Sequence, residues 1–298
     1  MESYMPDDTG QWNWKELFCL FCWPPCPRAI AAKLAFMPPV KTYNIKEDVR
    51  KVQTIWPNTE SPSLTTIPNY HQHPERFDLI VARTSRCNKI VCVYVKNREN
   101  PTFTILFSHG NAVDIGQILD FYRDLTSAMR CNVLLYDYSG FGESTGKPSE
   151  RNINADITTA WNVLRYKYEI PADKIVLYGQ SIGTVPTVDL ASRQQCAGVI
   201  LQSPFTSGLR LVFPNWKIAR PFDVFNNIGK VHRIKSRVLV IHGTDDSIID
   251  ISHGRELHNR CRNKVDPLWI SGAGHNNIEI YPQFIQRLDR FLNKELIK

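Results

Sequence analysis

The chain has 298 residues, of which 43% are hydrophobic and 22% are charged. This is the composition of a globular protein, and the length allows one large α/β domain or two small ones. The formal net charge of +7 is small for this length, and the sequence contains no long run of lysine and arginine. We therefore do not expect nucleic acid as a partner.

The first informative stretch is the N-terminal segment, residues 1–40. Large apolar residues recur there with the spacing of one helical face: Trp14, Leu17, Phe18 and Phe21. Prolines interrupt the run shortly afterwards, which leaves it too short for a membrane-spanning helix and unlike a secretory signal. An aromatic apolar face of this kind is suited to lie on a membrane surface.

Three cysteines lie in the same segment: Cys19, Cys22 and Cys26. Reversible S-acylation is the sharpest hypothesis for them, because one weak apolar contact gives only marginal attachment and acyl chains add to it. A zinc site is one alternative, although no histidine lies nearby to complete it, and simple packing of an N-terminal helix is the other. Six basic residues against two acidic ones between residues 28 and 51 favour an anionic leaflet. The sequence thus predicts a membrane-attachment segment at 1–40 and a catalytic domain at 41–298.

From residue 77 onward, strand and helix patterns alternate. Two apolar runs at 77–83 and 89–95, separated by five turn residues, predict an antiparallel hairpin at a sheet edge. Further apolar runs have the length of buried parallel strands: 102–107, 132–136, 175–178, 198–202, 237–241 and 265–270. Helical segments follow: 114–129, 150–168, 184–193, 252–260 and 281–293. This alternation predicts the α/β class, with a mostly parallel sheet, helices on both faces, and ligands at the carboxyl ends of the strands.

The strand at 175–178 and the helix at 184–193 are joined by the letters GQSIG. This is a G-x-S-x-G pattern in the strand, turn and helix setting that exposes a nucleophilic serine, here Ser181. The two glycines remove Cβ atoms where strand and helix come close, so the serine can occupy a strained turn. A second match, GESTG at 142–146, has no strand before it and no helix after it, and we reject it.

Acyl transfer at Ser181 also needs donors for the developing negative charge. The first should be the Ile182 N–H, directly after the nucleophile, and the second the N–H of Asn111 or Ala112, in the loop after the 102–107 strand. His109 in that loop is predicted to be a structural turn residue.

An acid and a base should follow the serine in the order Ser, Asp or Glu, His. The loops after the next strands, HGTDD at 242–246 and SGAGHN at 271–276, supply Asp246 and His275 at the same edge of the sheet. Spacing favours Asp246 only modestly over its competitors: Asp245, Asp250 and Asp223. This chemistry needs no cofactor and no metal, and we expect neither.

The connection at 204–230 is rich in large apolar residues, among them Phe205 and Phe213. Such side chains could wall a groove for an acyl chain, since each buried methylene contributes about 0.8 kcal/mol. Burial of some of them in the core is the alternative.

Several motifs together resemble the α/β-hydrolase superfamily: SHGNA at 108–112, YDYSGFGESTG at 136–146, YGQSIGTVPT at 178–187, HGTDD at 242–246 and GAGHN at 272–276. The sequence is most similar to the α/β-hydrolase domain-containing protein 17 group of protein depalmitoylases. That resemblance includes CLFCWPPCP at 19–27 and AAKLAFMPP at 31–39, and it extends to the C-terminal helix.

The resemblance implies Ser181 as nucleophile, Asp246 as acid and His275 as base. It also implies that the N-terminal cysteines are S-acylated and hold the enzyme at the cytoplasmic face of the plasma membrane and endosomes. Its substrates there would be membrane-attached proteins, from whose cysteine thioesters it removes long acyl chains. Two other functions remain open: a membrane-attached lipid esterase of the monoacylglycerol type that uses the same triad, and a non-catalytic scaffold with the hydrolase fold.

Overall fold

A computed structural model describes residues 35–46, 53–55, 77–97, 99, 101–212 and 223–297. Ten strands lie in these ranges: β1 (Asn44–Lys46), β2 (Gln53–Ile55), β3 (Phe77–Arg83), β4 (Lys89–Val95), β5 (Thr104–Ser108), β6 (Asn132–Tyr136), β7 (Ile175–Gln180), β8 (Gly198–Gln202), β9 (Arg237–Gly243) and β10 (Leu268–Ile270). The helices are α1 (Ile115–Met129), α2 (Glu150–Asn162), α3 (Thr184–Ala191), the short α4 (Gly208–Val212), α5 (Ile251–Arg260) and α6 (Pro282–Arg290). A π-helical turn extends α2 over Val163–Lys167, and another extends α6 over Phe291–Glu295.

Eight of the strands form one sheet in the order β10-β9-β8-β7-β5-β6-β4-β3. The six strands from β10 to β6 run parallel, whereas β4 pairs antiparallel with both β6 and β3. The predicted fold class is therefore confirmed: a mostly parallel sheet with helices on both faces and an antiparallel hairpin at one edge. Crossover helices between parallel strands bring the loops at their carboxyl ends together along one edge, which we call the catalytic edge.

Two apolar layers cover the sheet, because successive side chains of a strand point to opposite faces. Leu177 of β7 belongs to the layer beneath α2, α3 and α5, and its neighbour Tyr178 belongs to the layer beneath α1 and α6. Side chains at three- and four-residue spacing fill both layers, such as Ile153 and Ile157 of α2 and Phe284 and Leu288 of α6. Burial on both faces explains why the central strands are continuous apolar runs.

Polar side chains set the starts of two helices near the catalytic edge. The Ser149 hydroxyl accepts from the Asn152 N–H at the start of α2, and the Asp250 carboxylate accepts from the Ser252 N–H at the start of α5. Both satisfy backbone donors that have no partner inside the helix.

The remaining differences from the predicted elements have local causes. The helix predicted for 150–168 is α-helical only to Asn162, after which the Tyr168 N–H bonds five residues back to the Val163 carbonyl. The pair β1 and β2 was not predicted, because three-residue strands carry too little alternation to be recognised. The predicted strand at 265–270 is shorter, at Leu268–Ile270.

Candidate active site

Ser181 stands at the turn between β7 and α3 with a φ of 53°, a left-handed value that few residues other than glycine adopt. The turn is so tight that a Cβ at Gly179 would lie 2.4 Å from the Gly183 carbonyl oxygen. A Cβ at Gly183 would lie 2.1 Å from the Ser108 carbonyl oxygen of β5. Glycine is therefore required at both positions by close approach of the backbone, and the serine between them is held in a strained conformation.

His275 joins Ser181 to Asp246. Its Nε2 lies 3.0 Å from Ser181 Oγ, and its Nδ1 lies 2.7 Å from Asp246 Oδ2. A carboxylate can only accept, so Nδ1 carries the proton of the neutral imidazole and Nε2 is free to accept from the serine hydroxyl. This arrangement can activate the hydroxyl as a nucleophile and hold the proton that it releases.

Four donors surround the Asp246 carboxylate, whose side chain is fully buried. One oxygen accepts from the N–H groups of Ile248 at 2.9 Å and Ile249 at 2.8 Å. The other accepts from His275 and lies 3.2 Å from Nε2 of the buried His242. Burial opposes the ionised form, but the hydrogen bonds from the two histidines and from the Ile249 N–H outweigh it and hold the pKa of Asp246 well below its ordinary value.

His242, the first residue of the HGTDD motif, lies behind the Asp246 carboxylate. Its Nε2 also lies 2.8 Å from the Ile249 carbonyl oxygen, so this nitrogen carries a proton shared between two acceptors. His242 can thereby fix the orientation of the carboxylate toward His275. Nothing in the local sequence distinguishes this histidine from a turn residue.

Glu279 fixes the loop that carries His275. Its carboxylate accepts from the side-chain amides of Gln180 at 3.1 Å and Gln202 at 2.6 Å, at the carboxyl ends of β7 and β8. The loop itself is closed by a 2.7 Å bond from the Gly274 N–H to the Asn277 side chain. These contacts could not be predicted from local sequence, because they join residues that are 99 and 77 positions apart.

The competing aspartates have other partners. Asp245 accepts from the Thr244 hydroxyl at 2.6 Å, and Asp250 caps the start of α5. Asp223 lies 3.4 Å from the Leu209 N–H. Of the four aspartates considered, Asp246 is the one that contacts His275.

The rejected GESTG match and His109 lie in structural positions. The Ser144 hydroxyl donates to the Asp137 carbonyl at 3.0 Å and accepts from the Val91 N–H at 2.9 Å. His109 is fully buried, with Nδ1 2.8 Å from the Gly110 carbonyl oxygen, and burial lowers the pKa of His109 to about 4. Its ring is therefore neutral at physiological pH.

The loop after β5 contains Asn111 and Ala112, the two residues predicted to supply the second oxyanion donor. Ala112 has a left-handed φ of 58°, and the Asn111 side chain is bonded to the chain at residues 35–43, which we call the strap. Asn111 Nδ2 donates to the Ala35 carbonyl at 2.8 Å, and Asn111 Oδ1 accepts from the Met37 N–H at 3.0 Å. The amide of Asn111 thus serves as a clamp, and the backbone N–H groups of Asn111 and Ala112 remain the candidates for the second donor.

The strap is held along its length on three loops of the catalytic edge, those after β5, β6 and β8. Phe36 is buried and packs edge-on against Phe141 and Phe225, with ring centroids 6.4 and 5.7 Å apart. Further along, the Asp114 carboxylate accepts from the Thr42 N–H at 2.9 Å, and the Tyr43 hydroxyl donates to the Asp137 carboxylate. The last residues of segment 1–40 therefore pack on the catalytic domain.

The remaining predicted site residues belong to the acyl groove and to the cysteine cluster. Phe205 is buried in the core against Phe225, as the packing alternative expected. Phe213 and the cysteines Cys19, Cys22 and Cys26 lie outside the described residues. Within the described ranges, no group of three or more His, Cys, Asp or Glu side chains is arranged to hold a metal ion, and no helix has the length and apolar character needed to cross a membrane.

A serine, an aspartate and a histidine on three loops at the carboxyl edge of such a sheet, in that chain order, are the arrangement of an α/β hydrolase. Solved structures share the fold. The esterase Pf2001 of Pyrococcus furiosus superposes with a TM-score of 0.64 over 87% of this chain and 97% of that one, at 16% identity. The esterase domain of a Rhodothermus marinus protein gives a TM-score of 0.56 over 72% and 97%, at 18% identity.

Sequence comparison narrows the class. The family model described as serine aminopeptidase, S33, matches residues 99–222, which include Ser181. Alpha/beta hydrolase domain-containing protein 17B is 48% identical in Xenopus tropicalis and 47% identical in Homo sapiens, each over 96% of this chain and 98% of the relative. Protein 17C of Mus musculus is 46% identical over 94% and 95%. This chain belongs to the alpha/beta hydrolase domain-containing protein 17 family, as its motifs predicted, and hydrolase is therefore its class of enzyme.

Proposed function

We propose that this chain is a serine thioesterase that removes long acyl chains from cysteine side chains of membrane-attached proteins. The observation that carries the proposal is the hydrogen-bonded series from Ser181 through His275 to Asp246. Such a series performs acyl transfer, and a thioester is an easier acyl donor than an amide because a thiolate leaves readily. The choice of substrate comes from the family resemblance.

In this mechanism Ser181 Oγ attacks the thioester carbonyl carbon while His275 Nε2 takes the hydroxyl proton. The Ile182 N–H and an N–H of the Asn111 to Ala112 loop stabilise the oxyanion of the tetrahedral intermediate. When the carbon–sulfur bond breaks, His275 returns the proton to the departing cysteine sulfur. Water then attacks the acyl-serine carbonyl carbon while His275 Nε2 takes one of its protons. His275 returns that proton to Ser181 Oγ as the ester bond breaks, which releases the fatty acid and restores Ser181. The Asp246 carboxylate stabilises the imidazolium that forms in each half-reaction.

The acyl chain requires an apolar site near the nucleophile, and the connection after β8 is the proposed source. Its two described ends pair with each other, through a 2.9 Å bond from the Gly208 N–H to the Val224 carbonyl. Asn227 then bonds to the Thr184 hydroxyl at 3.2 Å, three residues after Ser181. The connection thus begins and returns beside the nucleophile turn, and we propose Phe213, between these ends, as a wall of the acyl groove. Phe205 is buried in the core and is therefore not proposed as a groove residue.

A substrate panel tests the activity. With peptides acylated on cysteine by acetyl, octanoyl and palmitoyl groups, we expect catalytic efficiency to rise with chain length, since each buried methylene contributes about 0.8 kcal/mol. Phe213→Ala should lower the catalytic efficiency on the palmitoyl substrate more than that on the acetyl substrate. Faster turnover of monoacylglycerol than of palmitoyl-cysteine in the same vesicles would replace this proposal by the lipid-esterase alternative, and no turnover of any ester would favour the scaffold.

We also propose that S-acylation of Cys19, Cys22 and Cys26 holds the enzyme on the cytoplasmic face of the plasma membrane and endosomes. The clustered cysteines, the aromatic face before them and the basic residues after them support this. In cells, replacing all three by serine should move the protein into the soluble fraction while its turnover of a soluble ester persists. Unchanged membrane partition of the triple variant would contradict the attachment mechanism.

A further inference from the structure

Exposed apolar side chains surround the catalytic edge. Among the described residues, nine large hydrophobic side chains are exposed, and four of them lie beside the site: Met37, Val40, Ile248 and Ile280. We call these four the rim. They are 60%, 92%, 62% and 77% exposed, respectively. Burial in the core does not account for them, and a group of such side chains beside a site marks an interaction surface.

Contacts of neighbouring backbone place each rim residue. The Met37 N–H is bonded to Asn111 in the loop after β5, and Val40 follows on the same strap. The Ile248 N–H is bonded to the Asp246 carboxylate. Ile280 follows Glu279, whose carboxylate is bonded to the residue directly before Ser181. The rim residues therefore lie on the strap and on the loops after β9 and β10, at the same edge of the sheet as Ser181.

The chain that precedes the described residues joins the domain at this rim, because Ala35 is bonded to Asn111. Between Cys26 and Ala35 lie eight residues, which span at most about 30 Å when fully extended. A domain of this size is about 50 Å across. A chain attached to a bilayer near Cys26 is thus too short to let the opposite end of the domain face that bilayer.

We propose that the rim is the surface through which this protein docks on an anionic lipid bilayer, with Ser181 opening toward the lipid. The sequence places basic residues on and beside the strap, at Lys33, Lys41 and Lys46, and their charge favours anionic headgroups. Lys41 is exposed and also pairs with Glu143 at 3.2 Å. Membrane attachment then does more than raise local concentration: it presents the site to acyl chains that enter from the bilayer. This inference deepens the proposed function and rests on it for the attachment near Cys26 and for the choice of acyl-cysteine substrate.

The test uses the full chain, prepared without acylation, in two matched double variants. The rim variant is Val40→Ser with Ile280→Ser, and the control is Val81→Ser with Ile297→Ser, which removes the same two residue types from exposed positions away from the site. Binding is measured by co-sedimentation with vesicles of phosphatidylcholine and phosphatidylserine. We expect the rim variant to bind at least about tenfold more weakly and the control to bind within about twofold of the parent. Both should hydrolyse a soluble short ester at the parental rate.

Equal vesicle binding of the two variants would overturn the proposal that the rim is a docking surface. A sedimentation measurement showing that the rim variant only breaks a dimer of this chain would overturn it as well. If the rim variant loses as much binding to purely phosphatidylcholine vesicles as to anionic vesicles, the preference for anionic lipid is overturned. A second arm measures turnover of a palmitoyl-cysteine peptide anchored in the vesicles, where only the rim variant should lose activity. If even the parent fails on that peptide, the thioesterase proposal falls, and the binding result still decides the docking surface.

Discussion

Replacing Ser181 by alanine is expected to abolish covalent labelling by a fluorophosphonate and to lower turnover by up to about a million-fold. Among the described residues, the nucleophile that His275 Nε2 contacts is the Ser181 hydroxyl, at 3.0 Å, and a strained turn presents it. Alanine keeps the backbone and its N–H donors, so the variant should remain folded. Gel-based labelling and steady-state ester hydrolysis measure the two effects.

Ser144→Ala is the matched control, since Ser144 is the central serine of the second G-x-S-x-G match. Its hydroxyl makes two buried hydrogen bonds, to Val91 and Asp137, so its loss should lower the free energy of unfolding by about 1–3 kcal/mol. Labelling of the folded protein should persist. If labelling instead vanishes in Ser144→Ala and survives in Ser181→Ala, the assignment of the nucleophile is wrong.

Replacing Asp246 by asparagine is expected to cost about ten-thousand-fold in kcat. All four partners of the carboxylate are donors, so an amide nitrogen on either side would face a donor. With the amide oxygen kept on the backbone pair, the nitrogen donates to His275 Nδ1 and forces the proton onto Nε2. That tautomer cannot accept from Ser181.

The neighbouring Asp245→Asn supplies the control, because Asp245 is exposed and bonded only to Thr244 among the side chains described. Its kcat should stay within about twofold of the parent. The effect of Asp246→Asn should appear in kcat with little change in KM, since the orientation of His275 acts after the substrate is bound. Comparable losses in the two variants would show that loop structure, and not the orientation of the histidine, is responsible.

Local sequence predicted the fold well where a strand is a short apolar run bounded by turn residues. The run at 198–202 and the hairpin at 77–83 and 89–95 have the boundaries that the apolar pattern indicates. Ser181 and His275 were recognisable for a similar reason, since each follows a strand within a glycine-rich turn. In such cases the residues that determine the local structure are adjacent in the sequence.

The supporting contacts could not be predicted, because their causes are not local. The Asn111 clamp on the strap joins residues 74 and 76 positions apart, and an asparagine in a turn has ordinary local explanations. His242 behind Asp246 has the same ambiguity. For Phe205, an apolar pattern alone does not distinguish a groove wall from the core, and packing against Phe225 placed it in the core.

The central claim is that Ser181 receives the acyl group of a cysteine thioester. Its most direct test is mass spectrometry of the enzyme quenched within one turnover after mixing with a palmitoyl-cysteine peptide. We predict one palmitoyl adduct on the proteolytic fragment that contains Ser181, formed together with one equivalent of free peptide thiol. An adduct on any other residue, or no adduct here while monoacylglycerol gives one at Ser181, would contradict the claim.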